Sequence, residues 1–150
     1  MLELGAYWGH YSSWLKHCVP ESWVTMVEPD ESNLLAGQHT FSKNKLTGEF
    51  IQDFVGKGSF SVDTFLKKEG IEKLDILHSD IQGYEMEVLK GSIETIKKNK
   101  PILSISAYHL EEDIKNITKF ILSLNMNYKM YLVNNEGFFW DGVKIIAMVD

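Results

Sequence analysis

The stretch "ELGAYWGHYS" (residues 3–12) decides how the chain folds, because it joins the first predicted strand to the first predicted helix. Leu2–Leu4 is a short apolar run that predicts a buried strand, and residues 11–17 predict a helix that a following proline ends. Gly5 and Gly9 bracket the turn between them, where the missing side chains allow a sharp bend. Strand, glycine turn and helix together predict the first unit of an α/β fold.

Six further apolar runs are separated by segments of helical spacing, a pattern typical of βα units on a largely parallel sheet. The runs that predict strands are residues 23–29, 49–55, 74–80, 102–108, 128–134 and 143–149. The last two runs are joined by a short loop, so they predict an antiparallel hairpin at one edge of the sheet. In such a sheet, ligands bind at the carboxyl ends of the strands, where the strand order reverses.

Apolar side chains recur at helical spacing in several segments between these strands. Asp30 is placed to cap the second helix, while Ser61 and Gly70 mark the beginning and the end of a short helix. The side chains predicted to face the sheet are Leu34, Leu35 and Phe41, then Met86, Leu89, Ile93 and Ile96 of one long helix, then Ile114, Ile117, Ile121 and Leu124. No linker or repeat interrupts the pattern, which predicts one domain over residues 1–150.

Composition and charge exclude several classes of protein. Fifteen Lys and Arg against 21 Asp and Glu give a formal net charge of −6, which argues against nucleic acid as a partner. No apolar run approaches the roughly 18 residues that a membrane-spanning helix needs, and the N-terminus has no signal-peptide pattern. Cys18 is alone, so no internal disulfide can form. We therefore expect a cytoplasmic protein with a small-molecule partner and no membrane contact, and a homo-oligomer remains open.

Acidic residues near the glycine turn indicate which ligand the turn binds. Glu28 follows the first glycine of the turn by 23 residues, at the end of the second strand, where a carboxylate can accept hydrogen bonds from ribose hydroxyls. A dinucleotide needs a glycine where Tyr7 stands, and Glu3 would repel its pyrophosphate. The same carboxylate attracts an ammonium and a sulfonium group. These residues predict S-adenosylmethionine as the cofactor.

Several segments together resemble the FkbM family of S-adenosylmethionine-dependent methyltransferases. "ELGAYWGHYS" is similar to the family's D-x-G-A-N-x-G-x-x-[ST] segment, and "VEPDESN" (27–33) is similar to its V-E-P stretch. "SVDTFL" (61–66) and "HSDIQGYEMEVLKG" (78–91) resemble its L-D-x-x segment and its D-x-E-G-x-E-x-x-x-L-x-G signature. Later segments follow in the family's order, so the likeness runs from residue 3 to about residue 148.

The resemblance implies a Rossmann-like α/β fold, with a seven-stranded, mostly parallel sheet, helices on both faces and an antiparallel C-terminal hairpin. It implies transfer of a methyl group to a hydroxyl oxygen of a small molecule or sugar. The residues that it places around the cofactor are Glu3, Gly5, Ala6 and Gly9 at the methionyl part, Glu28 at the ribose, Asp53 at the adenine and Asp80 at the reacting end, with Tyr7 and Pro29 as further cofactor-binding residues. It also implies that the upstream N-terminal segment of longer members is missing from this chain.

Two residues depart from the family pattern. Tyr7 stands where the family usually has Asn, and Gln82 stands where it usually has Glu, so a charge expected near Asp80 is missing. Asp80 and His109 are the candidate catalytic residues, since either could accept a hydroxyl proton; a helix cap and a bond to a backbone carbonyl are their structural alternatives. His78 shares a strand face with Asp80, but two such ligands are too few for a metal, and we predict none.

Alternatives remain open for the hairpin loop and for the function. Phe138, Phe139 and Trp140 could form a wall for the acceptor, or they could pack against the sheet edge or another subunit. A domain that binds S-adenosylmethionine without catalysis is an alternative function, which Gln82 suggests. A nicotinamide-dependent oxidoreductase is another, against which Tyr7 argues because it replaces the middle glycine.

Overall fold

The computed structural model describes residues 1–55, 60–134 and 142–149. The strands over these residues are β1 (Leu2–Leu4), β2 (Thr25–Val27), β3 (Glu49–Ile51), β4 (Ile76–Ser79), β5 (Ile102–Ser106), β6 (Lys129–Asn134) and β7 (Val143–Met148). The helices are α1 (His10–Cys18), α2 (Glu31–Lys43), α3 (Val62–Lys68), α4 (Glu85–Lys90), α5 (Ile93–Asn99) and α6 (Asp113–Ser123). Within these ranges, every helix is too short or too polar to pass through a bilayer.

The seven strands form one sheet in the order β3-β2-β1-β4-β5-β7-β6. Strands β1 to β5 pair in parallel, and β7 runs antiparallel to both β5 and β6. The chain moves outward from β1 in one direction and then returns to β4 on its other side, so the strand order reverses between β1 and β4. This topology confirms the predicted fold class, including the antiparallel hairpin at the edge.

Two apolar clusters lie on opposite faces of the sheet. Val27 belongs to the larger cluster and Met26 belongs to the smaller one, because neighbouring residues of a strand point to opposite faces. The larger cluster includes the fully buried side chains of Leu4, Leu77, Leu89, Ile96, Leu103, Ile105 and Ile117. The smaller cluster contains Phe41 of α2. Helices therefore cover both faces, and burial of each large side chain contributes about 2 kcal/mol.

The predicted caps are present at the beginning of two helices. The carboxylate of Asp30 accepts a hydrogen bond of 2.9 Å from the N–H group of Asn33 at the start of α2. The hydroxyl of Ser61 accepts from the third N–H group after it, at the start of α3. Gly70 follows α3 with a φ of +66°, a left-handed conformation that glycine adopts without strain. Both helices therefore begin where the capping pattern predicts.

The single long helix predicted across residues 86–96 is wrong, because the structure has two helices there. The chain leaves α4 at Gly91, whose carbonyl accepts a hydrogen bond of 2.9 Å from the N–H group of Asp63. The carboxylate of Asp63 in turn accepts from the N–H groups of Glu94 and Thr95, at 3.0 and 2.8 Å, and so caps α5. A distant side chain thus stabilises a helix start that the apolar spacing does not show.

Two side chains predicted to face the sheet point outward instead. Leu35 is 55% exposed and Ile114 is 41% exposed, whereas Leu34 and Ile117 beside them are buried. Leu35 follows Leu34 directly, and adjacent residues do not lie on the same helix face. Ile114 shares a face with Ile117, but it lies in the first turn of α6 and stays partly exposed there. Leu124 lies just after the end of α6, so it is not part of that helix.

Candidate active site

A cavity of about 590 Å³ opens at the carboxyl ends of β1, β2 and β4, next to the point where the strand order reverses. Its position agrees with the crevice predicted from the order of the elements, and its volume lies within the usual range for a small-ligand site. The predicted site residues that line it are Gly5, Tyr7, Glu28, Pro29, Asp80 and His109. The structure therefore brings both candidate catalytic residues to the same cavity as the predicted ribose ligand.

The glycine turn is held against the end of β4. Gly5 has a φ of +75°, and a Cβ atom at this position would lie 2.0 Å from the carbonyl oxygen of Asp80. The N–H groups of Gly5 and Ala6 both donate to the carbonyl of Val27, at 3.0 Å each. Ala6 is buried, and Gly9 packs against core side chains beneath the turn, so neither residue lines the cavity. The turn therefore needs glycine for its close approach to β4.

Glu3 lies beneath this turn and does not line the cavity. Its carboxylate is fully buried and accepts hydrogen bonds from the N–H group and the hydroxyl of Ser12, in the first turn of α1. Burial raises the pKa of Glu3 to about 7, although the bonds from Ser12 and the nearby ammonium of Lys144 act in the opposite direction. Glu3 thus binds the first turn of α1 and does not face the cavity, where its predicted role at the methionyl part of the cofactor would place it.

Glu28 is fixed at the edge of the cavity by three protein donors. One oxygen accepts from the N–H group of Tyr7 at 2.8 Å, and the other accepts from the N–H group of Asp30 and the side-chain amide of Asn33, at 3.1 and 3.3 Å. A carboxylate has about four acceptor positions, so one remains for a ligand. Binding two ribose hydroxyls would require Glu28 to release one of these donors, and the longest bond is that from Asn33.

Aromatic side chains line the part of the cavity just after β3, where Asp53 was predicted to bind the adenine. Asp53 is exposed, its carboxylate accepts from the N–H group of Phe54 at 2.7 Å, and its side chain does not line the cavity. The rings of Phe54 and Tyr84 meet edge to face with their centroids 5.7 Å apart, and both line the cavity. A planar apolar group fits against this aromatic pair.

Asp80 and His109 lie side by side at the other end of the cavity. Asp80 follows β4 and His109 follows β5, and Nε2 of the imidazole lies 3.4 Å from Oδ1 of the carboxylate. The hydroxyl of Tyr108 donates to the same oxygen at 3.1 Å. On its far side, His109 places Nδ1 2.9 Å from Oε1 of Glu85. The imidazole thus lies between two carboxylates, an arrangement suited to moving a proton.

Glu85 lies within the segment that resembles the family signature, but no role was predicted for it. It is buried at the start of α4, and its two oxygens accept from the N–H groups of Ile81 and Gly83, at 3.0 Å each. Gln82 between them has a φ of +55°, a conformation that few residues adopt. Burial raises the pKa of Glu85, and the hydrogen bond from Ile81 and the neighbouring imidazole oppose the shift. Glu85 therefore holds the loop that lines the cavity.

Lys144 is a buried residue of β7 that the sequence analysis did not single out. Its ammonium donates to the hydroxyl of Tyr11, lies 4.0 Å from the centre of that ring and is 3.6 Å from Oδ2 of Asp80. A lysine inside the apolar run of residues 143–149 was the only sequence signal for it. The antiparallel hairpin therefore brings a positive charge to the acidic end of the cavity.

Asp80, Glu85 and His109 lie close enough for one oxygen or nitrogen from each to contact a single ion, with these atoms within 4.8 Å of one another. Two contacts favour a cluster without metal: Glu85 is engaged with backbone N–H groups, and Lys144 already places a positive charge beside Asp80. The absence of a metal therefore stays a prediction, which chelation can test.

Two groups of singled-out residues lie elsewhere. His78 is buried in the sheet, where Nδ1 is 2.9 Å from the hydroxyl of Ser104 and the ring packs on Tyr11 at 4.2 Å between centroids. It is therefore held among side chains beneath the cavity and does not line it. The aromatic side chains of the hairpin loop, Phe138, Phe139 and Trp140, fall outside the described residues.

Comparison with known families identifies the chain. A family model described as the methyltransferase FkbM domain matches residues 38–130. The chain belongs to the FkbM methyltransferase family. The predicted resemblance is thus confirmed, and the matched range includes Asp80, Glu85 and His109, while the glycine turn and Glu28 precede it. No curated protein sequence matches the chain significantly.

Solved structures extend the comparison over nearly the whole of this FkbM chain. An FkbM methyltransferase from Methylobacillus flagellatus KT is 26% identical with a TM-score of 0.76, over 97% of this chain and 42% of that one. An O-methyltransferase from Bacillus cereus in complex with SAH is 14% identical, with a TM-score of 0.69 over 99% of this chain and 73% of that one. Fibrillarin from Aeropyrum pernix with natively bound S-adenosyl-L-methionine is 14% identical, with a TM-score of 0.65 over 99% of this chain and 65% of that one.

These structures bear on the fold and on the predicted cofactor in different ways. The chain spans less than half the length of the Methylobacillus protein. The Bacillus and Aeropyrum proteins share the fold alone, and both were solved with S-adenosylmethionine or SAH bound. The prediction of S-adenosylmethionine agrees with the methyltransferase family to which the chain belongs.

Proposed function

We propose that residues 1–150 form one methyltransferase domain that uses S-adenosylmethionine to methylate a hydroxyl oxygen of a small molecule or sugar. One observation carries the proposal: a single cavity has the Glu28 carboxylate at one strand end and the adjacent Asp80 and His109 side chains at another. A nucleoside ligand and a proton acceptor are the two groups that such a reaction requires.

The residues of the cavity fit the predicted cofactor. Gly5 leaves space at the turn, Glu28 retains an acceptor position for a ribose hydroxyl, and Phe54 with Tyr84 offers a flat apolar surface for an adenine. Tyr7 and Pro29 also line the cavity and would contact the cofactor. The remaining predicted ligands contribute less directly: Glu3, Ala6 and Gly9 support the turn from below, and Asp53 lies outside the lining.

The side chains at the reacting end have separate tasks. When bound, S-adenosylmethionine supplies an activated methyl group, which the acceptor oxygen takes as the carbon–sulfur bond breaks with its electron pair left on sulfur. The acceptor then loses its hydroxyl proton, and Asp80 and His109 are the groups placed to receive it. Tyr108 and Lys144 both contact the Asp80 carboxylate and fix its orientation. Alignment of the two reactants supplies most of the rate enhancement.

The charge of the cavity favours a neutral acceptor. Glu28 and Asp80 are acidic, and none of the described residues that line the cavity is Lys or Arg. A phosphorylated or carboxylated acceptor would meet two carboxylates without a cation facing it in the lining. Half-exposed rings, those of Tyr7 and Tyr108 among them, offer apolar faces to a hydroxyl-bearing ring. A neutral sugar or a similar polyhydroxylated compound therefore fits the site.

Cofactor binding and methyl transfer test the proposal in sequence. Titration calorimetry with S-adenosylmethionine should show binding, and incubation of the complex with a metabolite extract should yield a product that mass spectrometry finds heavier by one methyl group. Binding without transfer to any acceptor would favour the non-catalytic alternative, for which Gln82 in the cavity is the supporting observation. Binding of NAD in place of S-adenosylmethionine would overturn the proposal.

A further inference from the structure

We propose that Glu85 is a positioning residue that sets the tautomer of His109, with the ring proton on Nδ1 and the base nitrogen Nε2 facing Asp80. This inference deepens the proposed function, because it names the nitrogen that would receive the acceptor's proton. It rests on the juxtaposition of Glu85, His109 and Asp80 and on the hydrogen bonds that fix Glu85.

The Nδ1 atom of His109 needs a partner inside the protein. It is buried, and as placed it makes no hydrogen bond to a described residue. Oε1 of Glu85 lies 2.9 Å from it, which is hydrogen-bond distance for an N–H donor turned toward this oxygen. A buried polar atom without a hydrogen bond destabilises the folded state, which favours this alignment. The tautomer with its proton on Nδ1 gives this nitrogen an acceptor and lets Oε1 of Glu85 accept a hydrogen bond from it.

Glu85 can impose this orientation because it cannot move freely. Its two oxygens accept from the N–H groups of Ile81 and Gly83 in the same loop, and its side chain is 1% exposed. The segment that carries the histidine is also fixed, since the N–H group of Leu110 donates to the carboxylate of Asp113 at 2.7 Å. The loop after β4 thus fixes the Glu85 carboxylate, and the loop after β5 separately fixes the His109 imidazole.

The other groups that face the imidazole leave Glu85 as its nearest acceptor. Oδ1 of Asp80 lies farther away, 3.4 Å from Nε2, and it already accepts a hydrogen bond from the hydroxyl of Tyr108. The Tyr108 ring packs on the imidazole with the centroids 4.1 Å apart. Lys144 balances the charge of Asp80 from the side of β7, and Asp113 of α6 is the second acid near Glu85. In a neutral histidine the hydrogen bond at one nitrogen determines which nitrogen carries the proton. Only Nε2 is then available as a base toward the cavity.

The proton balance follows from this tautomer. As the acceptor oxygen bonds to the methyl carbon, its O–H bond breaks and an N–H bond forms at Nε2 of His109. The proton on Nδ1 stays on the ring and points at Glu85, so the ring becomes a cation between two carboxylates, which stabilise it. Nε2 can later pass its proton to Asp80 or to water.

Nitrogen-15 NMR of histidine side chains tests the assignment without an acceptor or a cofactor. The chain has five histidines, and the variant His109→Gln identifies the signals of His109 by their loss. At a pH that leaves the ring neutral, the wild-type protein should show a protonated Nδ1 and a bare Nε2 at this residue. The opposite pattern, with the proton on Nε2, would overturn the proposal whether or not methyl transfer is ever detected.

A variant separates the effect of Glu85 from that of its surroundings. Glu85→Ala should move the ring proton of His109 to Nε2, while Glu87→Ala, which removes an acid of the same helix that pairs with Lys90, should leave it on Nδ1. An unchanged tautomer in folded Glu85→Ala contradicts the inference. Circular dichroism establishes folding, and the wild-type spectrum decides the question alone if the variant does not fold.

Discussion

The ammonium of Lys144 lies 3.6 Å from the carboxylate of Asp80, although β7 and β4 are not neighbours in the sheet. The side chains are only 4% and 17% exposed, so water screens the pair weakly. The charge of Lys144 also opposes the rise in the pKa of the buried Glu3 carboxylate, so one ammonium acts on two acids. This contact connects the antiparallel hairpin with the end of the cavity that Asp80 lines.

Replacing Lys144 by Met should therefore destabilise the fold. Removal of one member of a buried ion pair costs about 3 kcal/mol, because the remaining charge stays buried without its partner. Urea unfolding measures the loss. Lys119→Met, which removes an exposed lysine of α6, is the matched control and should change stability by less than about 0.5 kcal/mol. Equal stability of the two variants would show that the buried contact contributes little.

The Glu28 carboxylate should be required for cofactor affinity. Glu28→Gln removes the charge but keeps the size, and loss of a charged hydrogen bond of about 1.5–3 kcal/mol predicts roughly 10- to 100-fold weaker binding of S-adenosylmethionine. Titration calorimetry gives the affinity, with Glu31→Gln on the exposed start of α2 as the control. Wild-type affinity in a folded Glu28→Gln protein would remove Glu28 from the ribose site.

Gly5 and Gly70, whose φ angles are both positive and similar, should respond differently to the same substitution. Gly70→Ala meets no atom within 4 Å, so it should cost only the roughly 1–2 kcal/mol of a left-handed alanine. Gly5→Ala has the same backbone cost, but its Cβ would lie 2.0 Å from the carbonyl oxygen of Asp80. It should therefore unfold at a clearly lower urea concentration and bind S-adenosylmethionine weakly. Similar midpoints for both variants would contradict the close approach of turn and strand.

The buried carboxylate of Glu3 predicts a loss of stability as pH rises. Burial raises its pKa from 4.5 to about 7, so between these values the folded protein holds a proton that the unfolded chain has lost. Stability from this group therefore falls as pH rises through that window, by about 3 kcal/mol in total, and stays constant above it. Urea unfolding at pH 5 and at pH 8 measures the change.

Glu3→Gln is the comparison that isolates this effect, because an amide does not titrate and still offers an oxygen to Ser12. The variant should lose less stability than the wild-type protein between the two pH values. A parallel decrease in both proteins would assign the pH dependence to other groups.

Chelation should leave the activity of the domain intact. Lys144 provides a positive charge beside Asp80, and Glu85 is bound to backbone N–H groups, so the cluster does not require an ion. After treatment with EDTA, binding of S-adenosylmethionine and transfer of the methyl group should both remain at their untreated levels. A loss of transfer that added magnesium or manganese restores would instead identify Asp80, Glu85 and His109 as metal ligands.

Local patterns were sufficient for most of the fold. Alternating apolar runs predicted the strands, and the capping residues Asp30 and Ser61 marked two helix starts, because strand burial and helix capping depend on neighbours in sequence. The same patterns failed where the decisive contact is distant. The break between α4 and α5 depends on Asp63, and the burial of a helix face depends on which elements pack against it.

The candidate site divides in the same way. The acids at the strand ends could be recognised from the sequence, since the carboxyl ends of parallel strands meet at one edge of the sheet, and Glu28 and Asp80 do line one cavity. What each carboxylate contacts was decided by tertiary structure alone. Glu3 turns under α1, whereas Glu85 at the start of α4 and Lys144 in β7 reach His109 and Asp80. Hydrogen bonding and charge pairing depend on distances of a few ångströms between segments remote in sequence, and no local pattern carries that information.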